Sequence, residues 1–315
     1  MQPYHSIEEV QIRGAHLAVG SFDGVHRGHQ RLLKAMVAEA HENGAQAVAL
    51  TFHPHPSVVL GRRSSPGYLT APEERAELLR ELGVDGVVLQ PFTLELSRVR
   101  AAEFLDRLIR HFGLRSLWAG PDFALGHNRE GNLEFLRQYG AQVGFQVHTV
   151  EPLEFGAEVI SSTRIRRYLS QGDVASAAAC LGRAYRLTGK VTRGAHRGVT
   201  LGIPTANLEV WEERAIPARG VYATWVWVEG QRKPGVTNIG IRPTFEETPK
   251  LTIEAHLLNF QSDLYSKELR LDFIARVRDE QKFPGPKELL DQIQRDIEIA
   301  RSRLRESSSA DPDPS

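Results

Sequence analysis

The sequence has little of several features that define whole classes of protein. It contains one cysteine in 315 residues, which excludes a scaffold stabilised by internal disulfides. Basic and acidic residues each number 39, so no excess charge points to nucleic acid or an anionic membrane surface as a partner. No run approaches the roughly 18 uninterrupted apolar residues of a membrane-spanning helix, and no signal-peptide pattern opens the chain. The sequence therefore predicts a cytoplasmic protein with no nucleic-acid and no membrane partner.

The single cysteine, Cys180, lies in the alanine-rich run VASAAACL. This context predicts a small, buried helix residue rather than a nucleophile.

The two halves of the chain differ in their hydrophobic pattern. Up to about residue 183, short apolar runs such as AVALTF alternate with amphipathic stretches such as 101–111, which predicts a parallel sheet covered by helices. After Leu187 the pattern is rich in β-formers until a helical pattern at 286–305, which predicts a small β-barrel or sandwich closed by one helix. Residues 306–315, ESSSADPDPS, are predicted to be disordered because they offer little to bury.

The segment GSFDGVHRGH at 20–29 places two histidines three residues apart, directly after a turn rich in glycine. Apolar residues precede it as a short run and follow it at helical spacing, which predicts strand, loop and helix. Histidines near a helix start are more often surface or core residues than ligand-binding ones. Gly20, Gly24 and Gly28 favour a binding loop, because glycine permits close approach of a ligand to the backbone. Since a helix start attracts anions, we expect a phosphate group here.

Two further loops follow predicted strands in the first half, TFHPHP at 51–56 and AGPDFALGHNREG at 119–131. Ligands bind outside the carboxyl ends of the strands in an open α/β sheet, so we expect these loops and residues 20–29 to line one crevice. TFHPHP on its own could equally be a turn fixed by its prolines.

A cluster of arginines lies at another predicted helix start, in ISSTRIRRYL at 160–169, behind Ser162 and Thr163. Hydroxyl side chains at this position are routine N-caps. Cations at a helix N-terminus oppose the helix dipole, however, so we expect an anionic ligand to compensate the arginines.

The second half contains a glycine-bearing loop followed by Pro204-Thr205-Ala206-Asn207, within GKVTRGAHRGVTLGIPTANLE at 189–209. Thr205 and Asn207 lie on one face if the chain is extended, and their oxygens suit Mg²⁺. Taken alone, this segment could be a turn, and Glu254 could be an exposed carboxylate on a strand.

Together these motifs resemble the bacterial bifunctional riboflavin kinase/FMN adenylyltransferases, the prokaryotic FAD synthetases. In the first half the resemblance rests on HxGH, present as His26-Arg27-Gly28-His29, with TFHPHP, GPDFALG and ISSTRIR. In the second half it rests on the glycine loop, PTAN, GVYA at 220–223, NIGIRPTF at 238–245 and LTIEAHLLNFQSDLY at 251–265. The resemblance implies an α/β chain: a Rossmann-like nucleotidyltransferase domain at 1–183, then a six-stranded β-barrel riboflavin kinase domain with a terminal helix at 184–305.

For the first domain, the resemblance implies transfer of AMP from ATP to FMN, with release of pyrophosphate. The FMN phosphate is already a nucleophile and needs no base, so His26 and His29 would act as electrostatic donors to the reacting phosphates. The implied ATP-binding residues are Gly20, Phe22, Asp23, His26, Gly28, His29, Ser162, Thr163 and Arg166. The implied flavin-binding residues are His55, Pro56, Asp122 and Phe123.

For the second domain, the resemblance implies ATP-dependent phosphorylation of riboflavin to FMN, with Glu254 accepting the proton of the 5′-hydroxyl. Thr205 and Asn207 would hold Mg²⁺. The implied ATP-binding residues of this domain are Gly194, Gly198, Gly202, Thr205 and Asn207. The chain departs from the usual family pattern at three positions: Val199 for arginine, Ile203 for phenylalanine and Ser266 for glycine.

Two alternatives come from other classes of protein. One is a nucleotidyltransferase with a single activity on another substrate, such as a pantetheine or glycerol phosphate, and an accessory second domain. The other is a flavin or nucleotide sensor without turnover. PTAN together with Glu254 argues against the first alternative, and HxGH together with ISSTRIR argues against the second.

Overall fold

The computed structural model describes residues 2–62, 67–192, 203–242, 250–260 and 262–310. The chain divides into two compact units, residues 1–162 and 163–315. In the first unit strands alternate with helices, as β1 (His16–Val19), α1 (Arg27–Glu42), β2 (Ala47–His53), α2 (Pro56–Val59), α3 (Pro72–Glu81), β3 (Gly86–Pro91), α4 (Ala101–Phe112), β4 (Ser116–Ala119), α5 (Leu133–Val143), β5 (Gln146–Thr149), β6 (Glu154–Phe155) and β7 (Glu158–Val159).

Five of these strands form one parallel sheet in the order β3-β2-β1-β4-β5. Leu17 of β1 lies opposite Val48 of β2 and Leu117 of β4, so β1 is flanked on both sides. The strand order reverses between β1 and β4, and such a reversal opens a crevice at the carboxyl ends of the two strands. The loop after β1 therefore occupies the position at which ligands bind in sheets of this type.

Alternate residues of β1 pack into two apolar clusters, because successive side chains of a strand point to opposite faces. Leu17 and Val19 pack with α4 residues such as Leu105, while Ala18 packs with α1 residues such as Met36. Helices therefore cover both faces of the sheet, and β1 and its following loop are fixed from both sides.

In its described residues, the second unit consists of a closed barrel and three helices. Its elements are α6 (Ser162–Gln171, whose first residue ends the first unit), α7 (Val174–Leu181), β8 (Tyr185–Thr192), β9 (Ala206–Val210), β10 (Gly220–Val228), β11 (Gln231–Arg242), β12 (Lys250–Leu257), β13 (Glu268–Arg278) and α8 (Pro286–Ala310). The barrel order is β10-β11-β12-β9-β8-β13, and the neighbouring strands are antiparallel.

Helix α8 closes the barrel through an apolar face and a buried ion pair. Ile297 and Leu304 pack against Val221 of β10. Asp296, with 2% of its side chain exposed, lies 2.8 Å from Nη2 of Arg278 on β13. Breaking a buried pair of this kind strands a charge, so the pair fixes the helix in one position.

The predicted fold class is confirmed: a Rossmann-like α/β unit precedes a six-stranded barrel with a terminal helix. Cys180 is buried in α7, as predicted.

Two predictions about boundaries differ from the structure. The units divide after Ser162, earlier than the predicted boundary at Arg183, because α7 packs against β8 and β13 of the barrel. Residues 306–310, the first part of the segment 306–315 that we expected to be disordered, continue α8 in the structure. There the indole of Trp225 donates a hydrogen bond to the Ser307 hydroxyl (3.2 Å), so this turn is attached to the barrel. Residues 311–315 lie outside the described residues.

Candidate active sites

The loop after β1 has an unusual backbone. Phe22, Gly24 and Val25 have φ values of 45°, 82° and 39°, in the left-handed region that favours glycine. A non-glycine residue held there costs on the order of 1–3 kcal/mol and persists only when its surroundings fix it. The side-chain amide of Gln30 helps to fix this loop, because it donates a hydrogen bond to the Val25 carbonyl at 2.8 Å. The loop is thus held in a defined, strained shape.

Asp23 provides a second restraint on this loop. Its carboxylate is buried, with 1% of the residue exposed, and accepts hydrogen bonds from the backbone N–H groups of Leu69 (2.9 Å) and Thr70 (3.2 Å). The Thr70 hydroxyl in turn accepts from the N–H of Gly24 at 3.1 Å. These contacts give Asp23 a role in holding the loop, and its predicted contact with ATP stays a prediction.

The two histidines of HxGH lie at the start of α1 and stack on each other. His26 is the N-cap, and its Nδ1 accepts the N–H of His29 at 3.3 Å. When the His26 ring is neutral, this hydrogen bond leaves its proton on Nε2. The ring centroids are 3.6 Å apart. A Cβ at position 28 would lie 3.2 Å from the His26 ring, so glycine at this position leaves room for the stack.

The surroundings of His29 favour the neutral form of its ring. Burial lowers its pKa well below the usual value, and the neighbouring His26 and Arg75 lower it further. Its Nδ1 is buried and has no hydrogen-bond partner in the described part of the chain. A buried polar atom of this kind is a candidate for contact with a ligand.

A cavity of about 440 Å³ lies at the carboxyl ends of the strands in the first unit. Gly20 and Ser21 line it from the loop after β1. All four residues predicted to bind the flavin also line it: His55, Pro56, Asp122 and Phe123. The expectation that the loops after β1, β2 and β4 share one crevice is confirmed.

Hydrogen bonds connect the loops around this cavity. The Ser21 hydroxyl lies 3.0 Å from Nε2 of His55. The N–H of His55 donates to the Tyr68 hydroxyl at 2.6 Å. His55 therefore connects the loop after β1 with the segment that carries Leu69 and Thr70.

The segment ISSTRIR begins α6, as predicted. The hydroxyl of Ser162 donates to the carbonyl of Asp23 at 2.8 Å, which brings this residue to the loop after β1. Thr163 and Arg166 follow in the second compact unit, where Thr163 is exposed and Arg166 half-buried. Their contacts with ATP stay predictions.

In the barrel, the predicted base and one predicted metal ligand lie on neighbouring strands. Glu254 of β12 pairs directly with Asn207 of β9, and residues paired in this way have Cβ atoms about 4.5–5.5 Å apart. Asn238 of β11 pairs with Glu254 on its other side. Both strand neighbours of Glu254 are therefore asparagines.

Some predicted kinase residues cannot be compared with the structure. Gly194, Gly198, Gly202 and Val199 lie outside the described residues. Thr205 directly precedes β9 and is half-buried, while Ile203 is buried with 8% exposed.

The residues near Asn207 are suited to a hard divalent cation. A hydroxyl, an amide and a carboxylate supply oxygen donors, which Mg²⁺ prefers. Within the described ranges, no group of three or more His, Cys, Asp or Glu side chains could hold a metal ion. An ion here would therefore take part of its coordination from ligand phosphates or water.

Sequence reasoning missed a set of residues behind the loop after β1: Thr51, Tyr68, Thr70 and Arg75. Arg75 is the largest, with 1% of its surface exposed. In PEERAELLRE it resembles an ordinary surface cation of a helix. One signal was available, because Arg75 is four residues before buried Leu79 and so shares the inward face of α3.

Two family models match the chain, the FAD synthetase family over residues 8–164 and the riboflavin kinase family over residues 181–304. Residues 165–180, which form most of α6 and α7, lie between the two matches. Fold and motifs thus define a transferase with two modules, an α/β nucleotidyltransferase and a barrel kinase.

Proteins with both modules are similar to this chain over most of its length. The bifunctional riboflavin kinase/FMN adenylyltransferase of Pseudomonas fluorescens is 37% identical, covering 92% of this chain and 93% of its own length. The enzyme of the same name from Listeria monocytogenes is also 37% identical, covering 91% of each. A crystal structure described as a macrolide-efflux protein from Streptococcus pneumoniae is 30% identical, covers 95% of this chain and 98% of its own, and superposes with a TM-score of 0.87.

The chain belongs to the bacterial bifunctional riboflavin kinase/FMN adenylyltransferase family. It is an enzyme of flavin cofactor biosynthesis, with ATP, riboflavin and FMN as its small-molecule substrates. None of the helices in the described part of the chain combines the length and apolar character needed to cross a membrane.

Proposed function

We propose that the first unit binds FMN in the 440 Å³ cavity and ATP at the loop after β1. The observation that carries this assignment is the meeting of three loops at one edge of the sheet, next to a helix start that bears two stacked imidazoles. The apolar wall that includes Phe123 suits an isoalloxazine ring, while the start of α1 suits phosphates.

The adenylyl transfer then needs positioning and charge stabilisation more than proton transfer. A phosphate oxygen of FMN attacks the α-phosphorus of ATP, the α–β bridging bond breaks, and pyrophosphate leaves with the electron pair. Nε2–H of His26 and the neutral imidazole of His29 donate hydrogen bonds to the phosphates as negative charge shifts to the leaving group. Ser162, Thr163 and Arg166 steady the β- and γ-phosphates.

In the second unit we assign Glu254 as the base of the riboflavin kinase reaction. Its carboxylate accepts the proton of the riboflavin 5′-hydroxyl while that oxygen forms a bond to the γ-phosphorus and the bond to ADP breaks. The pairing with Asn207 supports this role, since it places the base beside a residue able to bind Mg²⁺.

Thr205 and Asn207 would hold Mg²⁺ in the kinase site, with the glycines 194, 198 and 202 approaching the phosphates of ATP. When bound, the ion neutralises charge on the transferred phosphoryl group. Because both reactions consume ATP, we place the enzyme in the cytoplasm.

The test is a chromatographic time course of flavins after the purified protein is incubated with riboflavin, ATP and Mg²⁺. The proposal expects FMN first and FAD after it, and FAD alone when FMN is supplied. An EDTA arm tests the metal, because both products should then disappear. Formation of only one flavin product would contradict the proposed function of the other unit.

A further inference from the structure

A buried guanidinium connects the two loops that carry the adenylyltransferase site. Arg75 lies on α3 with 1% of its surface exposed. Its Nη1 donates to the carbonyl of Ser21 at 2.9 Å, the hydroxyl of Thr51 at 3.0 Å and the carbonyl of Phe52 at 3.2 Å. One nitrogen therefore bonds to the loop after β1 and to the end of β2.

Thr51 completes this connection. Its hydroxyl donates to the same Ser21 carbonyl at 2.8 Å and accepts from Arg75. Ser21 and Phe52 both line the cavity assigned to FMN, and Ser21 directly precedes the strained segment 22–25 that leads to His26. A shift at the Ser21 carbonyl would therefore change both the cavity wall and the approach to the histidine pair.

The chemistry of the arginine side chain suits these contacts. The three acceptors are two backbone carbonyls and one hydroxyl, which belong to two different segments of the chain. Fixing the flexible arginine side chain costs conformational entropy. What arginine adds is several donors in a rigid, planar arrangement and a permanent positive charge near a phosphate site.

We propose that Arg75 is a positioning residue for adenylyl transfer, which holds the loop after β1 against the end of β2 so that His26 and His29 meet the phosphates of ATP. This proposal rests on the function proposed above for the first unit. Arg75 acts through Ser21, Thr51 and Phe52 rather than by touching the reacting atoms.

The test uses the full chain with Arg75→Lys, Arg75→Met and Thr51→Val, and Arg80→Met as the matched control. Arg80 lies on the same helix and donates to the carbonyl of Ala76 within that helix. Initial rates of FAD formation are measured against ATP and FMN concentration, riboflavin phosphorylation is measured in the same preparations, and thermal unfolding is followed by circular dichroism.

Arg75→Lys should lower kcat for FAD formation by about 10- to 100-fold while changing the KM for ATP and for FMN less than about threefold, because misplaced groups lose transition-state contacts first. Thr51→Val keeps the charge and volume and should lower kcat by a few fold. Arg80→Met should match the wild-type protein, and riboflavin phosphorylation should stay unchanged in every variant.

Two outcomes would overturn the proposal. One is wild-type kcat in folded Arg75→Lys and Thr51→Val. The other is a rise in KM at constant kcat, which would mean that Arg75 contributes equally to ground state and transition state. If Arg75→Met fails to unfold cooperatively, Arg75→Lys and Thr51→Val still test the proposal. Absence of FAD formation by the wild-type chain would instead refute the proposed function of the unit.

Discussion

At the scale of single residues, the two histidines of the first unit depend on the small residue between them. Gly28 allows the His26 ring to lie against the first turn of α1, and this ring then stacks on His29. Two imidazolium rings at 3.6 Å would repel each other, which agrees with the lowered pKa of His29. The pair therefore provides hydrogen-bond donors without carrying two charges.

The first prediction separates the two activities by single substitutions. His29→Ala should lower FAD formation from FMN by about 10²- to 10³-fold, as expected for loss of a donor to developing charge, and leave riboflavin phosphorylation intact. Glu254→Gln should lower riboflavin phosphorylation by about 10²- to 10⁴-fold. The same variant should still form FAD at the wild-type rate when FMN is supplied. Chromatographic analysis of the flavin products measures the rates of both reactions.

The control for this pair is His41→Ala, at the other end of α1, where the ring bonds to Asp85 at 3.0 Å on the surface. It should leave both rates unchanged. If either active-site substitution stops both reactions in a folded protein, the assignment of one reaction to each unit is wrong.

The second prediction concerns pH and stability. In the unfolded chain His29 takes up a proton near the ordinary histidine pKa of 6.5, whereas in the folded protein it does so only at lower pH. Below about pH 6.5 the unfolded state therefore binds more protons, and the free energy of unfolding falls as the pH falls. Urea unfolding at pH 8 and about pH 5 measures the difference.

His29→Gln should reduce this loss of stability on acidification, because the amide does not titrate. Part of the loss should remain, since burial also lowers the pKa of His16. An equal pH dependence in the variant and the wild-type protein would show that His29 does not contribute.

At the scale of elements, the strands and helices of the first unit were predictable because their signals are local. The apolar run at 47–52 became β2, and the helical spacing at 101–111 became α4. The burial of Arg75 was not predictable in this way, because it depends on acceptors 54 and 23 positions away in the sequence. The roles of Glu254 and Asn207 came from the family resemblance, and only the barrel register places the two side by side.

A short turn before β13 bears one of the departures from the family pattern. Ser266 has a φ of 62°, in the left-handed region, where the family usually has glycine. Two backbone hydrogen bonds hold the conformation. The N–H of Ser266 donates to the carbonyl of Val191 at 3.0 Å, and the N–H of Lys267 donates to the carbonyl of Leu264 at 3.1 Å. A side chain here costs about 1–2 kcal/mol.

The third prediction follows from this turn. Ser266→Gly should raise the free energy of unfolding, by less than about 1 kcal/mol, since the relief of strain exceeds the extra entropy that glycine gives the unfolded chain. Ser266→Ala is the matched control, because it removes the hydroxyl and keeps the strain. Chemical unfolding measures the changes, and a gain in the alanine variant equal to that in the glycine variant would contradict the explanation.

At the scale of the whole molecule, each compact unit has its own core. The first unit ends at Ser162, two residues before the end of the first family match, whereas the second unit begins at Thr163 and the second match only at residue 181. Helix α7 contributes buried Val174, Cys180 and Leu181 and packs on β8 and β13. Close to it, the Ala218 N–H donates to the Leu169 carbonyl at 2.8 Å. An alanine-rich helix between two domains shows no sequence signal for the side on which it packs, so the sequence alone could not assign α7 to the compact unit of the barrel.

The last prediction tests whether α6 and α7 stabilise the barrel. Fragment 163–310 should unfold cooperatively at a clearly higher temperature than fragment 184–310, because each buried Val or Leu side chain contributes about 1.5–3 kcal/mol, and the shorter fragment lacks Val174 and Leu181. Both fragments contain Thr205, Asn207 and Glu254, so the longer one should phosphorylate riboflavin and form no FAD. Melting followed by circular dichroism and flavin chromatography provide the measurements. Equal melting temperatures would show that the two helices add nothing to the barrel, and a folded 163–310 fragment without kinase activity would show that the kinase site needs residues from the first unit.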